Sequence, residues 1–456
     1  VKIGYPTALM RLKTVLLILV ASFLPAKAQE SLHALPAPGF ETRITKYIDT
    51  IRIIDTHEHL IGPEMLNNSF FLDFSLLFMQ NGYDDLVSAG MPDTLFNALF
   101  NRYLDPVSKW KIIEPYWENS FNTSFNRMLL HSIERLYGIN ELNEATVGPL
   151  SEKIRKAHQT DWFDRIIRDS CKIEYFIKDG NYIPGKDDFV RYEKRFDDWL
   201  TVRSKFRIDS LAILQLDPIY SLDDFVRSLE TAFEKELKNG MIAVKIFSSY
   251  YRTLQFEKTN PDAAKKVFKT LVNGEEDFAI SMKEAKPLQD YMLFRLLDLA
   301  RKYDKPVAIH TGIQAGKGKI IGNSNPELLT NLFIEYPDVN FVLYHGSYPY
   351  GGELAALAKN YRNVYIDMNW VYAVSPTYSE RYFNEWLEMV PVSRITAFGG
   401  DCMAVENVYS ELLAAKRIIS KVLINKVKEG YITEREALII AKMILHDNAV
   451  KLYKLN

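Results

Sequence analysis

Eight short runs rich in β-branched residues recur along the chain, at 51–55, 172–177, 210–216, 242–247, 306–310, 340–345, 363–367 and 394–399, and longer amphipathic stretches separate them. The segment 291–300, Tyr-Met-Leu-Phe-Arg-Leu-Leu-Asp-Leu-Ala, is typical of the intervening pattern. Strands that alternate with helices pair in parallel, because a right-handed crossover returns each strand in the same direction. Eight such units predict a (β/α)8 TIM barrel, an α/β fold with its reactive groups at the C-terminal ends of the strands. The spacing is uneven. More than 100 residues part the first two runs, and a helical, aromatic stretch fills about 62–168, including Trp110, Tyr116 and Trp117. An insertion there leaves the rim where barrel enzymes keep their sites, so it is expected to cover the mouth, although its aromatics could equally form a core of their own.

At 456 residues with 47% hydrophobic and 25% charged residues, the chain can bury a large core and has the usage of a globular protein. A formal net charge of −2 without basic blocks argues against nucleic acid and leaves small molecules as the expected partners; self-association into a homo-oligomer stays open. At the N-terminus, Met10-Arg11-Leu12-Lys13 precedes an apolar run over 15–24 and an Ala26-Lys27-Ala28 cleavage pattern. These features predict a secretory signal over 1–28, with 1–9 upstream of a plausible initiator, a barrel over 29–456, and export to the periplasm without membrane attachment once cleaved. An uncleaved anchor is the alternative reading. Cys171 and Cys402 are too few for a disulfide scaffold.

The first run ends in Asp55-Thr56-His57-Glu58-His59, and side chains two apart on a strand share a face, so His57 and His59 can share one cation. His-x-His alone is weak. Yet only eight histidines occur, and the fifth and sixth runs each deliver one at the C-terminal end, His310 and His345, while the eighth ends in Gly399-Gly400-Asp401. Any one of these could be an ordinary core histidine. Together, four imidazoles and a carboxylate at one rim suit a single borderline divalent cation, with Zn2+ the best match.

This ordered set, from Asp55-Thr56-His57-Glu58-His59 through His310 and His345 to Gly400-Asp401, resembles the amidohydrolase superfamily, in the branch called amidohydrolase family 2. The resemblance implies a distorted barrel in which His57, His59, His310 and Asp401 bind a catalytic metal. It also implies that His345 either ligates or orients and polarises the substrate, and the long excursion after the first strand is similar to that of uronate isomerase. Lys245, in the fourth run, falls where binuclear relatives carry a carboxylated lysine; an unmodified lysine that meets a substrate carboxylate, helped by Arg252, is the preferred reading. Tyr350 and Glu353 are candidate pocket residues, with Glu353 equally a first-turn helix acid. Asp367 and Asp55 are expected behind the ligands, and Glu406 resembles an acid of the same loop in similar proteins.

The expected activity is hydrolysis of a small, carboxylate-bearing amide, ester or lactone by metal-activated water, with Asp401 as the proton carrier and His345 stabilising developing charge. A metal-dependent decarboxylase or uronate isomerase is the alternative on the same scaffold, and a catalytically silent binding protein is the alternative of another class.

Overall fold

The computed structural model describes residues 37–67, 72–79, 81–180, 188–275 and 278–455; the expected signal segment lies outside them. Eight strands form one parallel sheet in sequential order: β1 (Ile53–Glu58), β2 (Ile173–Asp179), β3 (Val190–Arg195), β4 (Ala243–Ile246), β5 (Val307–Ile309), β6 (Phe341–Leu343), β7 (Val364–Asp367) and β8 (Ile395–Thr396). Backbone bonds from Thr56 N to Phe398 O (3.0 Å), Asp401 N to His57 O (2.9 Å) and His59 N to Cys402 O (3.1 Å) join β1 to the segment after β8 and complete the barrel. The expected distorted (β/α)8 architecture is the observed one.

Alternation along the strands stacks two layers inside the barrel. Ile54, Ile177, Ala243, Ala308 and Val342 pack against Ala449 and Leu452 of the C-terminal helix Asn448–Tyr453 and against Leu455 just after it, which plug the bottom. Two residues further along, on the same face, stand Asp179, Lys245, His310 and Tyr344. One pleat therefore separates an apolar plug from a polar mouth. In β1 this parity breaks, since Ile54 lies in the plug and His57 lines the mouth; the change coincides with a register shift between Asp55 and Glu58.

One predicted strand is wrong. Residues 210–216 belong to a helix, Lys205–Gln215, and the third strand is Val190–Arg195. The apolar residues of the helix are spread around it, so its sequence shows no helical stripe, whereas β3 carries charges where an apolar strand was sought.

Between β1 and β2 the chain forms a set of helices from Pro63–Asn67 to Arg165–Ser170. Trp110 and Trp117 pack edge-on with Phe74 and Phe78 at ring distances of 5.7–6.3 Å, so these aromatics are the insertion's own core. Glu406, at the start of the helix Val405–Lys428, fastens the insertion to the barrel: its Oε1 accepts from Tyr137 Oη (2.6 Å), His158 Nε2 (2.8 Å) and Trp162 Nε1 (3.1 Å). Burial alone would push this carboxyl up, but His158 and the Tyr137 hydroxyl hold it below the usual carboxylate range. Among the described residues, no helix is long and apolar enough to cross a membrane.

Candidate metal centre

The C-terminal mouth of the barrel opens into a cavity of about 300 Å³ lined by imidazoles, carboxylates and two cations. His57 Nε2 lies 3.4 Å and His59 Nε2 3.1 Å from Asp401 Oδ1, so the strand-1 pair faces the strand-8 acid as expected. Glu58 points the other way. Its oxygens accept from Gly400 N (3.1 Å) and Cys402 N (2.8 Å), which fixes the turn that presents Asp401. A Cβ on Gly400 would sit 2.3 Å from Glu58 Oε1, so only glycine allows that approach.

The tightest group capable of holding a cation is His57, His59 and Asp179, whose donor atoms lie within 4.8 Å of one another. Asp179, at the end of β2, was not anticipated. It accepts two bonds from Arg195 of β3, Nε to Oδ1 at 2.6 Å and Nη2 to Oδ2 at 2.5 Å, and faces His59 at 3.9 Å. Burial opposes its ionisation, but His59, Arg195 and Lys245 hold its carboxyl well below the ordinary value.

Glu193 is the second unanticipated member. Its Oε1 stands 2.9 Å from His57 Nδ1, its Oε2 accepts from Tyr344 Oη at 2.7 Å, and Lys245 Nζ lies 3.7 Å away. A carboxylate on the far ring nitrogen fixes the tautomer and aim of a ligating histidine. Burial and the Lys245 charge work against a proton on His57; the carboxylates of Asp401 and Glu193 outweigh them and lift its pKa to about 9. Asp401 is correspondingly held well below the usual range by His57 and His59, against the pull of burial.

His310 also lines the cavity. Its Nε2 is 2.8 Å from Ile313 O and its Nδ1 2.8 Å from His345 Nε2, while Tyr250 packs edge-on at a ring distance of 4.7 Å. Burial and Lys245 push His310 down to about 3, and burial with the neighbouring His310 lowers His345 as well, so both are neutral imidazoles, the form a cation requires. His345 sits beneath His310 rather than in the cavity wall; its Nδ1 is buried, without a hydrogen bond, 3.8 Å from Asp401 Oδ2. Both His345 and Asp401 adopt left-handed backbone conformations (φ 63° and 53°), which cost a non-glycine residue roughly 1–2 kcal/mol each and cluster at working sites.

Three imidazoles and two carboxylates around one cavity are a donor set that fits a borderline divalent cation: His57, His59, His310, Asp401 and Asp179 would hold it. Lys245 and Arg195 line the same cavity. Lys245 Nζ is buried without a hydrogen-bond partner, 3.6 Å over the Tyr344 ring, and burial lowers its pKa while Glu193 and Asp179 partly restore it. Arg195 stacks on Phe247 at 4.2 Å, and Asp197 fixes the turn carrying Phe247 by accepting from its backbone N at 3.2 Å. The insertion reaches the rim, where Asp84 accepts from Gly316 N at 2.9 Å beside the cavity-lining Ala315.

The structure does not bring the remaining candidates to the cavity. Arg252 is buried in an ion pair with Asp290 (2.5 Å) and a bond to Gln289 (2.9 Å). Tyr350 bonds Ile321 O at 3.2 Å near the surface, and Glu353 is exposed in the first turn of the helix Gly351–Asn360. Asp367 lies behind the site, buried and raised to about 6, and Asp55 is likewise buried and raised to about 7. Arg195 takes the place expected of Arg252. An acid ending β2 and followed by glycine was a legible signal for Asp179; Glu193 and Arg195 were hidden with their strand.

The parallel eight-stranded barrel gathers imidazoles and carboxylates at its C-terminal mouth, the end where barrel enzymes keep their sites. Residues 281–455 match the amidohydrolase family model, and solved (β/α)8 barrels share the fold. The structure superposes on a uronate isomerase of Thermotoga maritima with a TM-score of 0.76 at 15% identity, covering 91% of this chain and 97% of that one. A glucuronate isomerase of Caulobacter crescentus gives 0.75 at 17% identity, covering 94% and 97%. In sequence, the chain is 32% identical over 215 residues to Protein fluG of Emericella nidulans, a match that takes in 45% of this chain and only 25% of that protein's length.

Proposed function

We propose that this protein is a metal-dependent hydrolase of a small amide, ester or lactone that bears a carboxylate, with Zn2+ as the cation best suited to the donor set. One observation carries the reading: imidazoles, carboxylates, Lys245 and Arg195 line one cavity of about 300 Å³, room for a small acidic molecule. A divalent cation bound there supplies Lewis acidity. Asp401, ionised and in reach of both strand-1 histidines, takes the proton of the attacking water and returns it to the leaving group. Lys245, without a hydrogen-bond partner of its own, holds the substrate carboxylate, and Arg195 beside it holds Asp179. His345 positions His310, and Glu193 positions His57.

The same lysine would hold a uronate, and the likeness in fold to uronate isomerases supports isomerisation as the second reading. A screen of lactones, N-acyl amino acids, aromatic acids and uronates, run in ¹⁸O-water, separates them. Label in a new product carboxylate supports hydrolysis; an isomer of unchanged mass or released CO2 overturns it. The 1–28 pattern supports a periplasmic enzyme, which a mature N-terminus at Gln29 would bear out.

A further inference from the structure

The helix Lys205–Gln215 buries Ile208 and Leu211 against the helices Leu222–Lys238 and Pro261–Val272, yet its outer side carries large apolar residues beside Arg207 and Asp209. Phe206, Ile213, Leu214, Leu216 and Tyr220 are 65%, 72%, 65%, 91% and 82% exposed. The large apolar side chains of a helix normally face a packed core. These five side chains leave on the order of 600 Å² of apolar surface in water, at the top of what a monomer tolerates, and most of the roughly 800 Å² that one partner contributes to a stable interface. Leu216 adds a second anomaly. It ends the helix in the left-handed conformation (φ 54°), where glycine or asparagine is ordinary, and holds a large apolar side chain out into water.

We propose that this face joins two copies of the chain across a two-fold axis near Ala212. The charges are self-complementary about that point. Arg207, which lies 3.3 Å from Asp198 in the single chain, and Asp217, just past the helix end, are both exposed five residues on either side of Ala212, so an antiparallel pair of these helices would bring Arg207 of each copy towards Asp217 of the other. Antiparallel helices also oppose their dipoles favourably. Ile213 then lies next to the axis, and Phe206 of one copy meets the Leu216 end of the other. None of these residues lines the cavity, so the interface is independent of the proposed chemistry.

Sedimentation velocity on the purified protein, from sub-micromolar to tens of micromolar, tests this. The wild type is expected to be a dimer, and the double variant Ile213→Lys, Leu216→Lys a monomer with an unchanged circular dichroism melt, because both residues face water in the single chain. Arg207→Asp should weaken dimerisation roughly tenfold or more, and Arg207→Asp with Asp217→Arg should restore it. A monomeric wild type throughout the range overturns the proposal, as does an oligomer that persists in the double lysine variant. Failure of the charge exchange to restore the dimer contradicts the antiparallel arrangement.

Discussion

Glu193 stands 2.9 Å behind His57, on the ring nitrogen opposite the one that faces Asp401. With Tyr344 donating to its other oxygen at 2.7 Å, this carboxylate locks one imidazole in the orientation a cation needs. Glu193→Gln keeps the shape and removes the charge, and is expected to weaken cation binding by about 10–100-fold. Titration of the metal-stripped protein with Zn2+ measures it. Unchanged affinity would assign Glu193 a purely structural part.

Proton and cation compete for His57. Because its pKa is raised to about 9, the imidazole is mostly protonated at neutral pH until a cation displaces the proton. Affinity should therefore rise by about tenfold per pH unit between 6 and 8 and level off above 9, with release of about one proton per cation bound. Calorimetry in buffers of different ionisation enthalpy counts that proton. A pH-independent affinity over this window would contradict the arrangement.

Lys245 is expected to select substrates rather than to build the cation site. Lys245→Met should cost about 1.5–3 kcal/mol of interaction with a substrate carboxylate, roughly 10–100-fold in kcat/KM, while a neutral analogue loses far less. Comparing an acidic substrate with its methyl ester decides the point. Equal losses on both would place Lys245 among the groups that support the ligands.

Glu406 carries the attachment of the insertion. Glu406→Ala leaves Tyr137, His158 and Trp162 without their shared acceptor and should destabilise the protein by about 3–5 kcal/mol, the typical cost of breaking a buried pair. Its folded pKa is lowered, so this stabilisation is complete above the ordinary glutamate value and fades as pH falls through the folded one. Urea unfolding of wild type and variant at neutral and acid pH reads both effects: the gap between them should narrow in acid.

Much of this was legible because the candidate cation ligands stand at or just beyond strand ends. His57, His59, His310 and Asp401 end strands whose apolar runs are buried on both faces, so pattern and position agreed. Val190–Arg195 was hidden for the opposite reason. At the level of the site the barrel interior is polar, and four of its six residues are charged, among them Glu193 and Arg195, which face inward. The helix Lys205–Gln215 drew the strand reading instead, since its apolar run Leu211-Ala212-Ile213-Leu214 has no helical period. Arg252 was misjudged because distance along the chain from Lys245 says nothing of Asp290, which captures it.

The measurement that bears most directly on a cation-dependent site is metal content per chain. Purified protein dialysed against limiting Zn2+ and quantified by inductively coupled plasma mass spectrometry should hold one cation per chain, and His57→Ala with His59→Ala should hold none while remaining folded. No stoichiometric cation in the wild type, or an undiminished one in the double variant, would contradict the account.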